Sequence, residues 1–75
     1  MSAFATATEE EVSAAGQVPG GALFVSVKNI GEQVGSVNGV PLDPGEAKSY
    51  PFIGKPYMNF HYDPQGSRLR ILYVI

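Results

Sequence analysis

The segment V-G-S-V-N-G-V-P-L-D-P-G-E-A-K-S-Y-P-F, residues 34–52, decides the fold. Asn38-Gly39 at its centre lies between two valines. A two-residue hairpin loop of the primed type needs positive φ at both positions, and Asn followed by Gly adopts it at least steric cost. Residues 43–45, Asp-Pro-Gly, provide a second turn, because Pro presets φ and Gly tolerates positive φ. Two turns this close predict short antiparallel strands.

Alternating apolar and polar residues predict the other strands around this segment. Met58, Phe60 and Tyr62 alternate with polar residues and should face inward. Pro41 and Pro51 cannot donate to a ladder. The strand with Pro41 should therefore lie at a sheet edge or end quickly, and the strand with Pro51 should lie at an edge or carry a bulge near its end. We predict an all-β fold: a small antiparallel β-sandwich or a partly open barrel of five or six short strands. The strands are expected at residues 22–29, 34–37, 40–42, 46–52, 58–62 and 68–75.

The N-terminal segment has a different composition from the rest of the chain. Residues 1–21 carry three consecutive glutamates and few large side chains, whereas residues 22–75 form the β domain. Thr8 and Glu11 have the spacing of a capping box, so a short helix over residues 9–15 is plausible, although seven residues are too few to persist alone. The segment is then either a disordered tail or an arm and hinge that order against a partner. We favour the arm.

Two side chains would anchor such an arm. Phe4 and Val12 are the only large ones before Val18. We expect both to contact a partner.

The final strand carries the clearest sign of contact between subunits. Its first half alternates, but its last five residues are all apolar, and a strand that is apolar on both faces is normally covered on both. Either the strand is central and fully buried, or its own arm or another subunit covers the second face or the edge. We expect a subunit interface formed by Leu72, Tyr73, Val74 and Ile75.

Size and composition favour self-association. Cores of chains this small rarely supply more than ~3–5 kcal/mol, so small domains usually add disulfides, metals or neighbours. The 75 residues include no cysteine and one histidine, which leaves no disulfide and no usual zinc site. We expect a homo-oligomer without cofactor or metal. No apolar run is long enough to span a membrane, and the start of the chain lacks the features of a signal peptide.

Catalytic and nucleic-acid-binding patterns are missing from the sequence. No serine occurs in a nucleophile-elbow context, and Asp43 and Asp63 each lie where a turn uses Asp to bond its own backbone. His61 is expected at a surface or interface. The chain carries five basic residues against seven acidic ones, which disfavours phosphate binding. We therefore predict a protein that is not an enzyme and does not bind nucleic acid.

The aromatic residues allow two interpretations. Tyr50, Tyr57 and Tyr62, with basic residues nearby, could form a platform for a glycan ligand. Alternatively, the same rings complete the core and a subunit interface. The first interpretation predicts a groove with several exposed aromatic rings.

The turn motifs resemble a pattern found in short β-rich structural proteins of bacteriophage virions and prophage regions. The pattern reads N-x-G, then V-N-G-V-x-L-x-P-G-E, then Y-D-x-x-G, and covers residues 22–75 without the arm. No residue roles follow from it, because no catalytic or ligand motif defines it. The matching segments are V-K-N-I-G at 27–31, G-S-V-N-G-V at 35–40, L-D-P-G-E at 42–46 and F-H-Y-D-P-Q-G at 60–66.

The resemblance implies a vertex, decoration, spike-associated or attachment component of a virion. We therefore expect a virion structural protein, assembled in the host cytoplasm, that forms symmetric homo-oligomers and docks to a larger capsid protein through its N-terminal arm. The alternative is a glycan-binding module for attachment to a host surface.

Overall fold

The computed structural model describes residues 4–75, which form eight β-strands and no helix. Two four-stranded antiparallel sheets have the strand orders β1-β8-β3-β6 and β2-β7-β4-β5. The all-β prediction is confirmed, but the strands outnumber the five or six expected, and neither sheet closes into a barrel. The strands are β1 (Ala7–Val12), β2 (Gly16–Val18), β3 (Phe24–Asn29), β4 (Gly35–Val37), β5 (Val40–Leu42), β6 (Ala47–Tyr50), β7 (Phe60–Asp63) and β8 (Leu69–Val74).

The predicted hairpin at the centre of the sequence is confirmed. Asn38 and Gly39 have φ values of 52° and 78°, and Val37 pairs with Val40 across the turn between β4 and β5. A turn of this primed type matches the right-handed twist of the strands it joins. The strands that contain or precede prolines, β5 and β6, are both edge strands, as predicted.

The N-terminal helix prediction is wrong. Residues 7–12 form the edge strand β1, which pairs with β8 from Ala7↔Val74 to Val12↔Leu69, and residues 16–18 form β2. A seven-residue helix gains little from its own hydrogen bonds, whereas β8 offers a six-residue backbone ladder. The expected arm is therefore built into both sheets; its residues 1–3 lie outside the described part of the chain.

One apolar core joins the two sheets. Residues of alternating positions in both sheets supply it, and Val12, Tyr50 and Tyr73 pack against its margin. Phe60 and Tyr62 are buried as predicted, but Met58 is 82% exposed, because β7 begins only at Phe60. The core consists of Val18, Ala22, Val25, Val27, Val37, Leu42, Phe60, Tyr62, Leu69 and Ile71.

A buried polar network closes one end of this core. The Asn29 side chain, which is fully buried, donates to the carbonyl oxygens of Gln33 (2.7 Å) and Leu42 (2.8 Å). Its Oδ1 accepts from the Gly31 N–H (3.1 Å) and the Ser67 hydroxyl (2.7 Å). Every hydrogen-bonding position of this amide is therefore used. The network ties the loop that follows β3, the end of β5 and the turn before β8 to the end of β3.

The turn before β8 runs from Pro64 to Ser67. The N–H of Ser67 donates to the carbonyl oxygen of Pro64 (3.0 Å), and Gln65 and Gly66 between them have φ values of 53° and 89°. Both central residues of this turn therefore have positive φ angles. Asp63 accepts the Gln65 N–H with Oδ1 (3.0 Å), the turn role expected of it.

Candidate functional site

Exposed apolar side chains gather at one end of the domain. Their positions follow from the strands they flank: Thr6 and Ile75 exchange two backbone hydrogen bonds beyond the β1–β8 ladder, and residues 51–59 join β6 to β7 at the same end. Each of these side chains is at least 47% exposed. We call this set the apolar end: Phe4, Phe52, Ile53, Met58 and Ile75.

Aromatic packing fixes the loop that carries most of the apolar end. Tyr57 forms an isolated bridge with Ala22, and its hydroxyl donates to the Pro51 carbonyl oxygen. The Tyr57 ring meets Tyr50 edge-on with 6.1 Å between centroids, and Tyr50 lies 5.2 Å from Phe60. The loop is thus anchored at Tyr57 while residues 52, 53 and 58 remain exposed.

The outer face of the first sheet continues this apolar surface. Phe24 pairs with Val74, and Leu72 lies one row further along on the same face. All three are half-buried, because no second layer covers this face within residues 4–75. We call Phe24, Leu72 and Val74 the outer strip. It meets the apolar end where β8 finishes.

The expected subunit interface is thus divided by the structure. Leu72 and Val74 belong to the outer strip and Ile75 to the apolar end, so these three form one surface. Tyr73 faces the other way and packs against the core while staying half-buried, so its place in a subunit interface remains a prediction. The strand β8 is central, with β1 at one edge and β3 at the other, so its own N-terminal segment covers its edge.

The two residues expected to anchor an arm have separate positions. Val12, at the end of β1, is half-buried and packs against the chain's own core, and its contact with a partner remains a prediction. Phe4 lies before β1 and belongs to the apolar end.

The three tyrosines of the predicted platform do not share one exposed surface. Tyr62 is buried between the sheets, whereas Tyr50 and Tyr57 are half-buried and pack edge to face. Burial chiefly, and then the Glu10 carboxylate and Tyr73, raise the pKa of Tyr62; burial and then Tyr57 raise the pKa of Tyr50. These rings serve the core and its margin and do not line one exposed groove.

The opposite end of the first sheet is charged. Glu11 on β1 pairs with Arg70 (3.1 Å) and Arg68 (2.9 Å), one arginine on each carboxylate oxygen. The hydrogen bonds from Arg70 and Arg68 lower the pKa of Glu11. Lys28 faces the same side as Arg70 by register. The outer face therefore changes from apolar at Val74 to charged at Arg70.

The outer face of the second sheet carries a shallow groove of about 600 Å³, which we call the polar groove after the four polar side chains that project into it. Gln17 and His61 pair across β2 and β7, and Ser36 and Asp63 pair across β4 and β7, so that all four side chains project to this face. Ser36, His61 and Asp63 are not joined by any hydrogen bond among the described side chains. The groove therefore shows no activated nucleophile.

Residues 4–75 contain no group of three or more His, Asp or Glu side chains that could hold a metal ion. They also contain no helix with the length and apolar character needed to cross a bilayer.

Comparisons with models of protein families, with curated proteins and with solved structures found no match.

Sequence reasoning missed the centre of the apolar end. The strand predicted over residues 46–52 ends with Phe52, and no role is predicted for Ile53. The segment P-F-I-G-K-P nevertheless places these two large apolar residues between residues that interrupt strands. Gly54 in this segment has a φ of 103°. Two apolar residues in a tight loop do not belong to a strand face that could turn them toward the core. Their position between Pro51 and Gly54 therefore predicts that they are exposed.

Proposed function

We propose that this small β-sandwich is a virion structural protein that forms symmetric homo-oligomers, and that the oligomers seat on a larger capsid protein. The observation that carries the proposal is the continuous apolar surface made by the apolar end and the outer strip. Contiguous exposed apolar surface on a small domain commonly marks a protein contact. The virion assignment draws its support from the resemblance of the turn motifs.

The free sheet edges disfavour association by strand addition. Glu10 on β1 projects toward the core side of an edge strand, where a charge opposes further pairing. Pro41 interrupts the edge β5, Pro51 follows the edge β6 directly, and Pro19 follows the three-residue edge β2. Protected edges direct association to faces and ends.

The dimensions of the domain limit how much contact area one end can supply. The domain measures 40 × 19 × 18 Å, and because six residues of strand span ~20 Å, the long axis includes loops at both ends. The cross-section of one end, 19 × 18 Å, has less than half of the ~800 Å² that each partner of a stable complex buries. We therefore infer that copies associate through the apolar end together with the outer strip.

Charge at the apolar end is compatible with packing against another protein. The segment from Ala47 to Phe60 contains Lys48, Lys55 and no carboxylate side chain. A neighbouring copy offers carboxylates on β1 and in the turns at Asp43 and Glu46. The contact would bury apolar rings while its rim keeps the lysines solvated.

Sedimentation velocity tests the proposed oligomer. The wild-type protein is expected to sediment as an oligomer at low micromolar concentration, and Ile53→Asp as a folded monomer. Val34→Asp is the matched control, because Val34 is 46% exposed but lies between Gln33 and Gly35, away from the apolar end. A wild-type monomer at high concentration, or equal loss of association in both variants, contradicts the proposal.

Mass spectrometry of density-purified particles tests the virion assignment separately. The protein is expected to co-purify with a larger capsid protein at a fixed ratio. Its absence from particles whose other structural proteins are recovered would remove the virion role but leave the oligomer untouched.

A further inference from the structure

The groove on the second sheet carries four polar side chains: Gln17, Ser36, His61 and Asp63. Ala15, Gly16, Gly39 and Tyr62 complete its lining. Its volume of about 600 Å³ falls within the ~300–1,000 Å³ typical of small-molecule sites. The groove lies on the second sheet, whereas the outer strip lies on the first.

Two of its side chains are held in place by other parts of the chain. The Asn59 amide donates to the Gln17 Oε1 (2.6 Å), which leaves the Gln17 NH₂ for a ligand. Asp63 Oδ1 accepts the Gln65 N–H (3.0 Å), and its second oxygen has no partner among residues 4–75. The Ser36 hydroxyl and the His61 ring likewise keep unused hydrogen-bonding capacity in that part of the chain. Fixed groups with unused donors and acceptors lose little entropy on binding.

The wall chemistry selects the ligand class. None of the described lining residues is Lys or Arg, so phosphate, sulfate and nucleic acid have no counter-charge here. Ala15 and Tyr62 add apolar surface to the lining, as in most small-molecule sites, where a few polar groups fix the orientation of the ligand. Amide, hydroxyl, imidazole and carboxylate groups together donate and accept, and a carboxylate oxygen accepts strongly from a hydroxyl.

We propose that this groove binds a neutral saccharide, whose hydroxyls donate to Asp63 and accept from the Gln17 amide, with Ser36 and His61 completing the contacts. The ligand site is independent of the proposed oligomer, because its residues lie on a different sheet. It replaces the tyrosine platform that the sequence suggested for the same ligand class.

Amide-proton NMR titration of the full chain tests the site. The probes are lactose, maltotriose and N,N′-diacetylchitobiose as neutral sugars, and glucuronic acid as an anionic one. At least one neutral probe is expected to shift the amide signals of residues 17, 36, 39, 61 and 63 saturably. Glucuronic acid is expected to bind more weakly, because Asp63 repels its carboxylate.

Two exposed-position variants and a control make the test specific. His61→Ala and Gln17→Ala should each weaken the binding of the neutral probe by up to about tenfold, because each removes one hydrogen bond. Ser49→Ala, at an exposed position on the first sheet, should leave binding unchanged. No saturable shift with any neutral probe, tighter binding of glucuronic acid, or equal affinity in all three variants overturns the proposal. A shift confined to the Tyr50–Tyr57 region would also overturn it.

Discussion

The same strands run through both ends of the first sheet, yet the side chains at the two ends differ in kind: polar and hydrogen-bonded at one, apolar and exposed at the other. At the end of β3, the buried Asn29 amide uses all its hydrogen bonds within the chain, and Glu11 holds two arginines on the surface above it. At the start of β3, the strands finish among apolar side chains that are at least 47% exposed. One end satisfies its polar groups internally, and the other keeps apolar surface in contact with solvent. The comparison distinguishes the residues that stabilise the fold, around Asn29, from the exposed apolar residues that are available for contact.

The largest expected effect comes from breaking the Asn29 network. Asn29→Ala should destabilise the protein by about 3 kcal/mol, because it removes four hydrogen bonds and leaves the buried carbonyl oxygen of Leu42 without its donor. Urea denaturation measures the loss. Asn59→Ala is the matched control: it removes one exposed hydrogen bond and should cost under ~1 kcal/mol. Equal effects of the two variants would contradict the structural role of the network.

A smaller effect is expected from crowding the same end. A Cβ on Gly31 would lie 2.7 Å from the backbone nitrogen of Arg68 and against the Ser67 side chain. Gly31→Ala should therefore cost about 1–3 kcal/mol through overpacking. Gly20→Ala provides the comparison, since its nearest contact would be 3.5 Å away. We expect the Gly20 variant to unfold at nearly the wild-type urea concentration; a larger loss there than at Gly31 would refute the packing argument.

The smallest expected effect concerns the surface charges. The arginines lower the pKa of Glu11 in the folded protein from its ordinary value of 4.5. Its contribution to stability is therefore present above pH 4.5 and is lost as the pH falls through the lowered pKa. Glu11→Gln should remove this part of the acid dependence, and added salt should weaken it in the wild type.

Thermal unfolding midpoints between neutral and acid pH provide that measurement. Glu9→Gln is a suitable control, because Glu9 lies on the same face of β1 but forms no ion pair among the described residues. An unchanged acid profile in Glu11→Gln would show that the ion pairs do not contribute.

Local turn chemistry made the central hairpin predictable. Asn38-Gly39 specifies the turn by its own φ preferences, and Pro41 marks an edge strand regardless of context. The alternation of Phe60 and Tyr62 was read correctly for the same reason. Each of these signals depends on only a few neighbouring residues.

The position of the N-terminal segment was not predictable from local patterns. Three consecutive glutamates, Glu9, Glu10 and Glu11, have neither the alternation of a strand nor an apolar face. They form β1 because β8, more than 50 residues later, offers a backbone edge, so a long-range contact overrides weak local preference. Gln17 lies in the polar groove because of the same kind of long-range pairing, here between β2 and β7. The groove could not be assembled before that register was known.

Amide hydrogen exchange at several protein concentrations tests the central claim most directly. We predict that amides of residues 51–59 and 72–75 gain protection as the concentration rises, because neighbours cover the apolar end and the outer strip. Amides of residues 29–35 and 63–68 should be equally protected throughout, since the Asn29 network lies within one chain. Protection at residues 51–59 that stays constant with concentration, or concentration-dependent protection around Asn29, would contradict the account.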